Sequence, residues 1–175
     1  MMKTLTIRPA ALSDSAAITH IYADAVSNGT ATFEIVPPDE TEMARRQEIL
    51  LDGGYPYLVA ATADTVAGYA YAGPYRDRPA YNWSVEDSIY VAPQMHRKGI
   101  GGLLLTRLIA ESAARGFRQM IAVIGDSAQI GSIAVHAKAG FSHIGTLRSV
   151  GFKHGQWLDT VLMQRALGSG DTRPP

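Results

Sequence analysis

Apolar positions along this chain recur with two different periods. Residues 5–8 alternate apolar and polar and predict a first strand, stopped by Pro9. Ala17, Ile18, Ile21, Tyr22 and Ala25 recur at three and four, which predicts a helix capped by Ser13 or Asp14 and ended by Gly29. Residues 30–38 show no period, yet Phe33, Ile35 and Val36 make them too apolar for a free linker. A second helix starts at Asp39 or Thr41, runs through Leu51 and is closed by Gly53 and Gly54; its Glu42, Arg45, Arg46 and Glu48 read as a solvated face. Residues 57–62 and 66–71 predict two strands around Ala63-Asp64-Thr65, a hairpin signal. After a loop at 73–80 rich in Pro and Arg, a strand at 83–91 leads into a glycine-rich turn and a helix at 101–115, ended by Gly116. A short, wholly apolar strand at 120–124 follows, of the buried type. A short helix at 131–139 ends at Gly140, and strands at 141–150 and 158–164 flank a connection at 151–156. The tail from 168 to 175 is rich in Gly, Ser and Pro and is expected to fray.

The predicted order is β-α-α-β-β-β-α-β-α-β-β. The early hairpin implies antiparallel strands, and the strand–helix–strand unit at 85–124 implies a parallel pair. The expectation is a mixed α/β fold, a central mixed β-sheet flanked by helices. No internal repeat or second domain is visible, so residues 1–167 are expected to form a single domain.

Composition narrows the function. The 175 residues carry 16 basic and 16 acidic side chains, a formal net charge of zero. Nothing in that balance draws the chain generally to nucleic acid or to a membrane, so any positive charge acts locally. There is no cysteine, which excludes disulfides, thiolate metal sites and a cysteine nucleophile. No apolar run approaches the ~20 residues of a membrane span. Met1-Met2-Lys3-Thr4 lacks the apolar stretch of a signal peptide, so a soluble, cytoplasmic protein is expected. His20, His143 and His154 show no metal spacing, and no metal is expected.

The candidate chemistry begins at Ser88-Ile89-Tyr90-Val91-Ala92-Pro93-Gln94-Met95-His96-Arg97-Lys98-Gly99-Ile100-Gly101-Gly102. A strand that breaks at a proline and enters a helix through three glycines presents free backbone N–H groups at the positive end of the helix dipole, an anion site. Arg97 and Lys98 add two cations, and the glycines let a phosphate approach the backbone. No Gly-Lys-Ser/Thr follows, which excludes a P-loop, and the third glycine of a dinucleotide fingerprint is missing.

The run Arg97-Lys98-Gly99-Ile100-Gly101 resembles the pyrophosphate loop with which the GNAT superfamily of N-acetyltransferases grips coenzyme A. His96 stands where that pattern usually has Gln or Arg. The resemblance implies the GNAT fold over residues 3–167, acetyl-CoA as co-substrate, and cofactor contacts from Ser88, Ile89, Tyr90 and Val91 on the strand and from His96, Arg97, Lys98, Gly99, Ile100, Gly101 and Gly102 in the loop. In the superfamily the helix after the next strand carries an Asn and, seven residues on, a Tyr near the thioester sulfur. This chain has Gln129, Ser132 and His136 there. Gln129 keeps an amide that could reach the pantetheine arm; His136 could supply a proton to the departing sulfur or merely satisfy a local hydrogen bond.

Acyl transfer to an amine needs the amine neutral. An α-amine has a pKa of ~7.7–8, so a carboxylate or a water held by one is the expected base. Period two puts Glu86 on one face with Ser84, Ser88 and Tyr90, opposite Trp83, Val85, Ile89 and Val91. Asp87 interrupts the apolar face and suggests a bulge. Each acid could instead be a solvated edge residue.

Ala31-Thr32-Phe33-Glu34, Gly73 to Arg78, Ala80 to Glu86, Gly145 to Arg148, Val150 to Gly155, Trp157-x-Asp159 and Gln164 together look like the phosphinothricin and methionine sulfone/sulfoximine acetyltransferases. Asn82 departs from the Arg frequent in that group. The resemblance implies transfer to the α-amine of a small amino acid or analogue, with Glu86 as general base, directly or through water. Arg76 suits an amino-acid carboxylate, since its planar fork can bind bidentately. Phe33, Tyr75, Asp77, Trp83 and Val85 are the further candidates for the substrate pocket. It also implies a homodimer, for which the apolar C-terminal strands offer a surface. A peptide N-acetyltransferase and a non-catalytic acyl-CoA sensor are the competing readings; a 30–38 segment buried over the cleft would favour a small substrate.

Overall fold

A computed structural model describes residues 5–175; the opening residues read for a leader lie outside the described residues. Its elements follow the expected order: β1 (Thr6–Pro9), α1 (Ser15–Asn28), α2 (Glu40–Asp52), β2 (Tyr57–Ala61), β3 (Val66–Pro74), β4 (Ser84–Val91), α3 (Ile100–Ala114), β5 (Gln119–Gly125), α4 (Ile130–Lys138), β6 (Ser142–Lys153) and β7 (Gln156–Ala166). The strands form one mixed sheet in the order β1-β2-β3-β4-β5-β7-β6. Among the described residues only β4 and β5 run parallel, as their crossover through α3 requires.

Two apolar layers sandwich the sheet. On one face Leu104, Leu105 and Leu108 of α3 pack on Leu58, Ala70, Val85 and Met120. On the other, Ile18, Ile21 and Val26 of α1 and Met43 of α2 pack on Tyr57, Val59 and Tyr69. β2 is buried along its whole length because both faces are covered. No helix among the described residues is long and apolar enough to cross a membrane.

The local signals placed helix ends well. Asp39 caps α2 by accepting from Glu42 N–H at 2.9 Å. Asp14 does not cap α1 with its side chain; the carboxylate takes two bonds from Arg8, at 2.7 and 2.8 Å, and one from Ala11 N–H. Three expectations are corrected. The register of β4 against β3 and β5 runs unbroken through Asp87, so there is no bulge there. The connection expected at 151–156 shrinks to a tight turn, because Gly151, Phe152 and Lys153 pair with Leu158, Trp157 and Gln156. Gly151 is no breaker: a Cβ there would lie 2.3 Å from the Phe33 ring, so the glycine permits close packing. The tail, expected to fray, is turned back on Arg118, which donates to Ser169 Oγ and to the Pro174 carbonyl.

Candidate active site

The site begins where β4 and β5 part. Their parallel pairing runs from Ser84↔Gln119 to Asp87↔Ala122 and stops, although β4 continues to Val91 and β5 to Gly125. Beyond Asp87 the backbone of β4 has no strand partner on that side. The resulting split is lined by Asp87, Ser88, Ile89 and Tyr90 of β4, residues 122–125 of β5, and Gln129, Ser132 and His136 from α4. Ala31 of the irregular 29–36 strap also lines it.

The far end of β4 delivers the glycine-rich loop. After a 3-10 turn at Pro93–Met95, Arg97 and Gly99 both take positive φ, 58° and 80°, and Gly99 becomes the N-cap of α3. A glycine N-cap has no side chain to satisfy the first turn, and the Gly99 carbonyl accepts from Leu103 N–H at 3.1 Å. The N–H groups ahead of it are left for a ligand. A Cβ built at Gly102 meets nothing within 4 Å, and one at Gly101 only Val91 at 3.9 Å. Protein packing therefore does not require glycine in this turn, where it is worse than Ala by ~1 kcal/mol. An open cradle for a phosphate accounts for it, and the residues fit a pyrophosphate group. Arg97 and Lys98 are exposed beside it. His96 Nε2 donates to the Val91 carbonyl at 2.8 Å, so the ring braces the loop.

Glu86 sits one residue before the split and points the other way, toward α2. It lines a depression with Arg46, Ile49, Leu50, Tyr71, Gly73, Pro74 and Ser88. Ser88 lines both this depression and the split, so the two meet there. Burial pushes the Glu86 carboxyl up to about 7; the adjacent Asp87 charge adds to the rise and Arg76 opposes it. Tyr71, opposite Ser88 in the β3–β4 register, hydrogen-bonds the Ser88 side chain, and burial raises its hydroxyl pKa.

Asp87 faces α4. Its Oδ2 lies 2.9 Å from His136 Nε2, and His136 Nδ1 donates to the Ser132 carbonyl at 2.8 Å. Both nitrogens of the expected proton donor are thus occupied. Gln129 caps the approach to α4 and donates from Nε2 to Thr30 Oγ1 at 3.1 Å, tying α4 to the strap. The strap is held further by Lys153 Nζ, which donates to the Thr32 carbonyl at 2.8 Å, and by Glu34, which accepts from Arg46 at 2.6 Å and Tyr22 at 3.0 Å.

The substrate candidates divide. Phe33 lies on the strap, against Gly125 and Gly151. Arg76 is exposed, with its guanidinium 5.2 Å from the Tyr75 ring centroid and close enough to Glu86 to act on it. Asp77 is exposed in the same loop. Val85 is a correction: it is fully buried against α3, 0% exposed, and cannot meet a substrate with its side chain. Trp83 stands in the turn before β4 and lines a separate depression with Phe117, Arg118 and the tail. Within β4, period two sends Val85 to one face and Glu86 to the other. The sequence reading missed Arg46 and Tyr71. Arg46 sits among other charges on α2, and no local pattern separates it from a solvated face. No group of three or more metal-ligating side chains occurs among the described residues.

Residues 7–162 match the acetyltransferase (GNAT) domain family. The chain is 51% identical over 170 residues to a phosphinothricin N-acetyltransferase of Alcaligenes faecalis, covering 97% of this chain and 86% of the relative. It is 38% identical over 173 residues to an L-methionine sulfoximine/L-methionine sulfone acetyltransferase of Pseudomonas aeruginosa, covering 97% and 98%. A phosphinothricin acetyltransferase from Sinorhizobium meliloti, solved in complex with acetyl-CoA, superposes with a TM-score of 0.95 at 50% identity, covering 98% of this chain and 93% of that one. With a split parallel strand pair, an open glycine cradle at a helix N-terminus and this similarity along nearly its whole length, the chain belongs to the GNAT acetyltransferase family.

Proposed function

We propose that the protein transfers the acetyl group of acetyl-CoA to the α-amine of a small amino acid or analogue, of the kind represented by phosphinothricin, methionine sulfone and methionine sulfoximine. The observation that carries this reading is the position of Glu86: a carboxyl titrating near 7, in a depression that joins the split at Ser88. A base poised near the working pH takes a proton from an amine most effectively. The chain's residues divide the work. The first turn of α3, with Arg97 and Lys98, holds the pyrophosphate, and the free edge of β4 orients the pantetheine arm. Bound acetyl-CoA supplies an activated thioester.

On the acceptor side, Glu86 takes the proton that leaves the amine, directly or through a water. Arg76 pairs the carboxylate of the amino acid from the rim. Arg46, held by Glu34 and Glu42 at 2.6 and 2.8 Å, and Tyr71 shape the depression beside Glu86. Because Ala31 lines the split and Thr32 is buried and held by Lys153, the strap supports a small acceptor over an extended peptide. Ile144, Leu147, Val150, Phe152 and Trp157 are all at least half exposed on β6 and β7, which supports a homodimer through these strands. A cytoplasmic enzyme fits this reading.

The test is acetyl-CoA turnover measured against the free amino acids, methionine sulfone, methionine sulfoximine, phosphinothricin and a peptide with a free N-terminus. Turnover of one or more of the small amines is expected. Acetylation of the peptide alone would reject the small-substrate reading, and thioester binding without turnover of any amine would favour a sensor.

A further inference from the structure

We propose that Asp87 is a positioning residue of acetyl transfer: it fixes the His136 ring at the floor of the split and shares with it the proton that the leaving sulfur takes up. This rests on the transferase reading above.

An aspartate in the middle of a central strand, between Val85 and Ile89 on the face toward α3, is out of place unless it is paired, because an unpaired buried carboxylate is strongly disfavoured. Asp87 is 6% exposed and His136 4%. The contact of Asp87 Oδ2 with His136 Nε2 at 2.9 Å joins β4 to α4 across 49 positions of sequence. The other ring nitrogen, Nδ1, faces the Ser132 carbonyl, which can only accept, so Nδ1 carries hydrogen. The tautomer is thereby fixed, and the proton that can move is the one between Nε2 and Oδ2. Phe141 meets the ring edge-on at 5.1 Å between centroids and limits its rotation.

A second observation ties the pair to the cleft. Asp87 Oδ1 is buried and has no hydrogen-bond partner. A pair that served packing alone would be expected to satisfy both oxygens, since an unmet buried acceptor weakens the fold. Both residues line the split in which the pantetheine arm is expected, next to Ser88. Burial works against a charged ring there, but the Asp87 hydrogen bond and charge, with the Ser132 carbonyl, outweigh it and raise the imidazole pKa.

The amine nitrogen bonds to the acetyl carbon and its proton passes to Glu86. The carbon–sulfur bond breaks with its electron pair on sulfur, and sulfur takes the proton held between Nε2 and Oδ2. Solvent then removes the proton from Glu86 and returns one to the pair.

Two measurements test this. In ¹⁵N NMR of the ligand-free wild type, His136 Nδ1 should carry hydrogen throughout, and the ring should lose its second proton at a higher pH than an exposed histidine does. Asp87→Asn should bring that titration down, as Asp87 is the charged group acting on the ring. In kinetics, Asp87→Asn should lower kcat with acetyl-CoA by about 10²-fold with little change in the KM for the amine. The loss should shrink to a few fold with the acetyl thioester of p-nitrothiophenol, whose thiolate leaves without a proton. A residue that only packs would lose the same factor with both donors, and that outcome overturns the proposal. So does a wild-type His136 that titrates no higher than an exposed histidine, a result that needs no variant to fold. A wild type that acetylates no amine would overturn the functional reading instead, while the charge of the ring still decides the pairing.

Discussion

Glu86 and Asp87 are consecutive in the chain, and their carboxylates leave β4 on opposite faces. Glu86 opens into the depression beside α2, and Asp87 meets His136 of α4. Two acids that differ only by the pleat of a strand thus stand on opposite sides of the sheet, one in the depression and one in the split. The proximity has an electrostatic consequence, because the Asp87 charge helps to raise Glu86.

The role proposed for Glu86 can be tested apart from cofactor binding. Glu86→Gln should keep acetyl-CoA affinity and lower kcat/KM by about 10²–10⁴-fold. Wild-type kcat/KM should rise with pH through about 7 as Glu86 ionises. The deficit of the variant should narrow at higher pH, where more of the amine is already neutral. Steady-state kinetics over pH 6 to 9 decides it; a deficit constant with pH would make Glu86 a pocket-shaping residue.

The same substitution should stabilise the fold. The folded pKa of Glu86 is about 7, above its ordinary 4.5, so the folded state prefers the protonated form. Its contribution is fully present below about pH 4.5 and is lost as pH rises through 7. At pH 8 Glu86→Gln should therefore gain about 2 kcal/mol after allowance for partial solvent contact, and near pH 4.5 much less. Urea unfolding at the two pH values would measure the difference, and equal effects would contradict the assigned shift.

The cradle at the start of α3 predicts that Gly101→Asp abolishes acetyl-CoA binding. The position is open to solvent, so the side chain fits the free protein but places volume and negative charge where a phosphate is expected. Calorimetry with a folded variant is the measurement, and unchanged affinity would move the pyrophosphate elsewhere.

Arg76 offers a test of substrate charge. Arg76→Ala should raise the KM for a free amino acid roughly ten- to a hundredfold and erase any preference for the acid over its methyl ester. An unaltered acid-to-ester ratio would assign the carboxylate to another cation, with Arg78 of the same loop and Arg46 in the depression as candidates.

Gly151→Ala should loosen the strap. The new Cβ would lie 2.3 Å from the Phe33 ring, which must move off Gly125 and Gly151 together. An overpacked contact of this kind is worth about 1–3 kcal/mol. A fall in Tm with a raised KM for the amine is expected, and a variant as stable as the wild type would show that the ring yields freely.

The sequence by itself determined the elements and their order, because period and breakers are local. The glycine loop was legible for the same reason: Gly99, Gly101 and Gly102 announce a backbone that must be bare before any fold is known. Glu86 could be placed on the face opposite Val85 and Ile89 from the two-residue period alone. That period also contained the warning against grouping Val85 with Glu86. Tertiary structure decided the rest. Gly151 was read as a turn because a breaker and a close-packing glycine look alike until Phe33 is seen against it. His136 was read either as a proton donor or as a residue satisfying a local hydrogen bond, and only the packing of α4 on β4 revealed that Asp87 and the Ser132 carbonyl occupy both ring nitrogens. Arg46 and Tyr71 join Glu86 from a helix and a strand distant in sequence. A local pattern records which way a side chain leaves its own element, whereas its partner is set by how the elements dock, and that pairing is written in no single stretch of the chain.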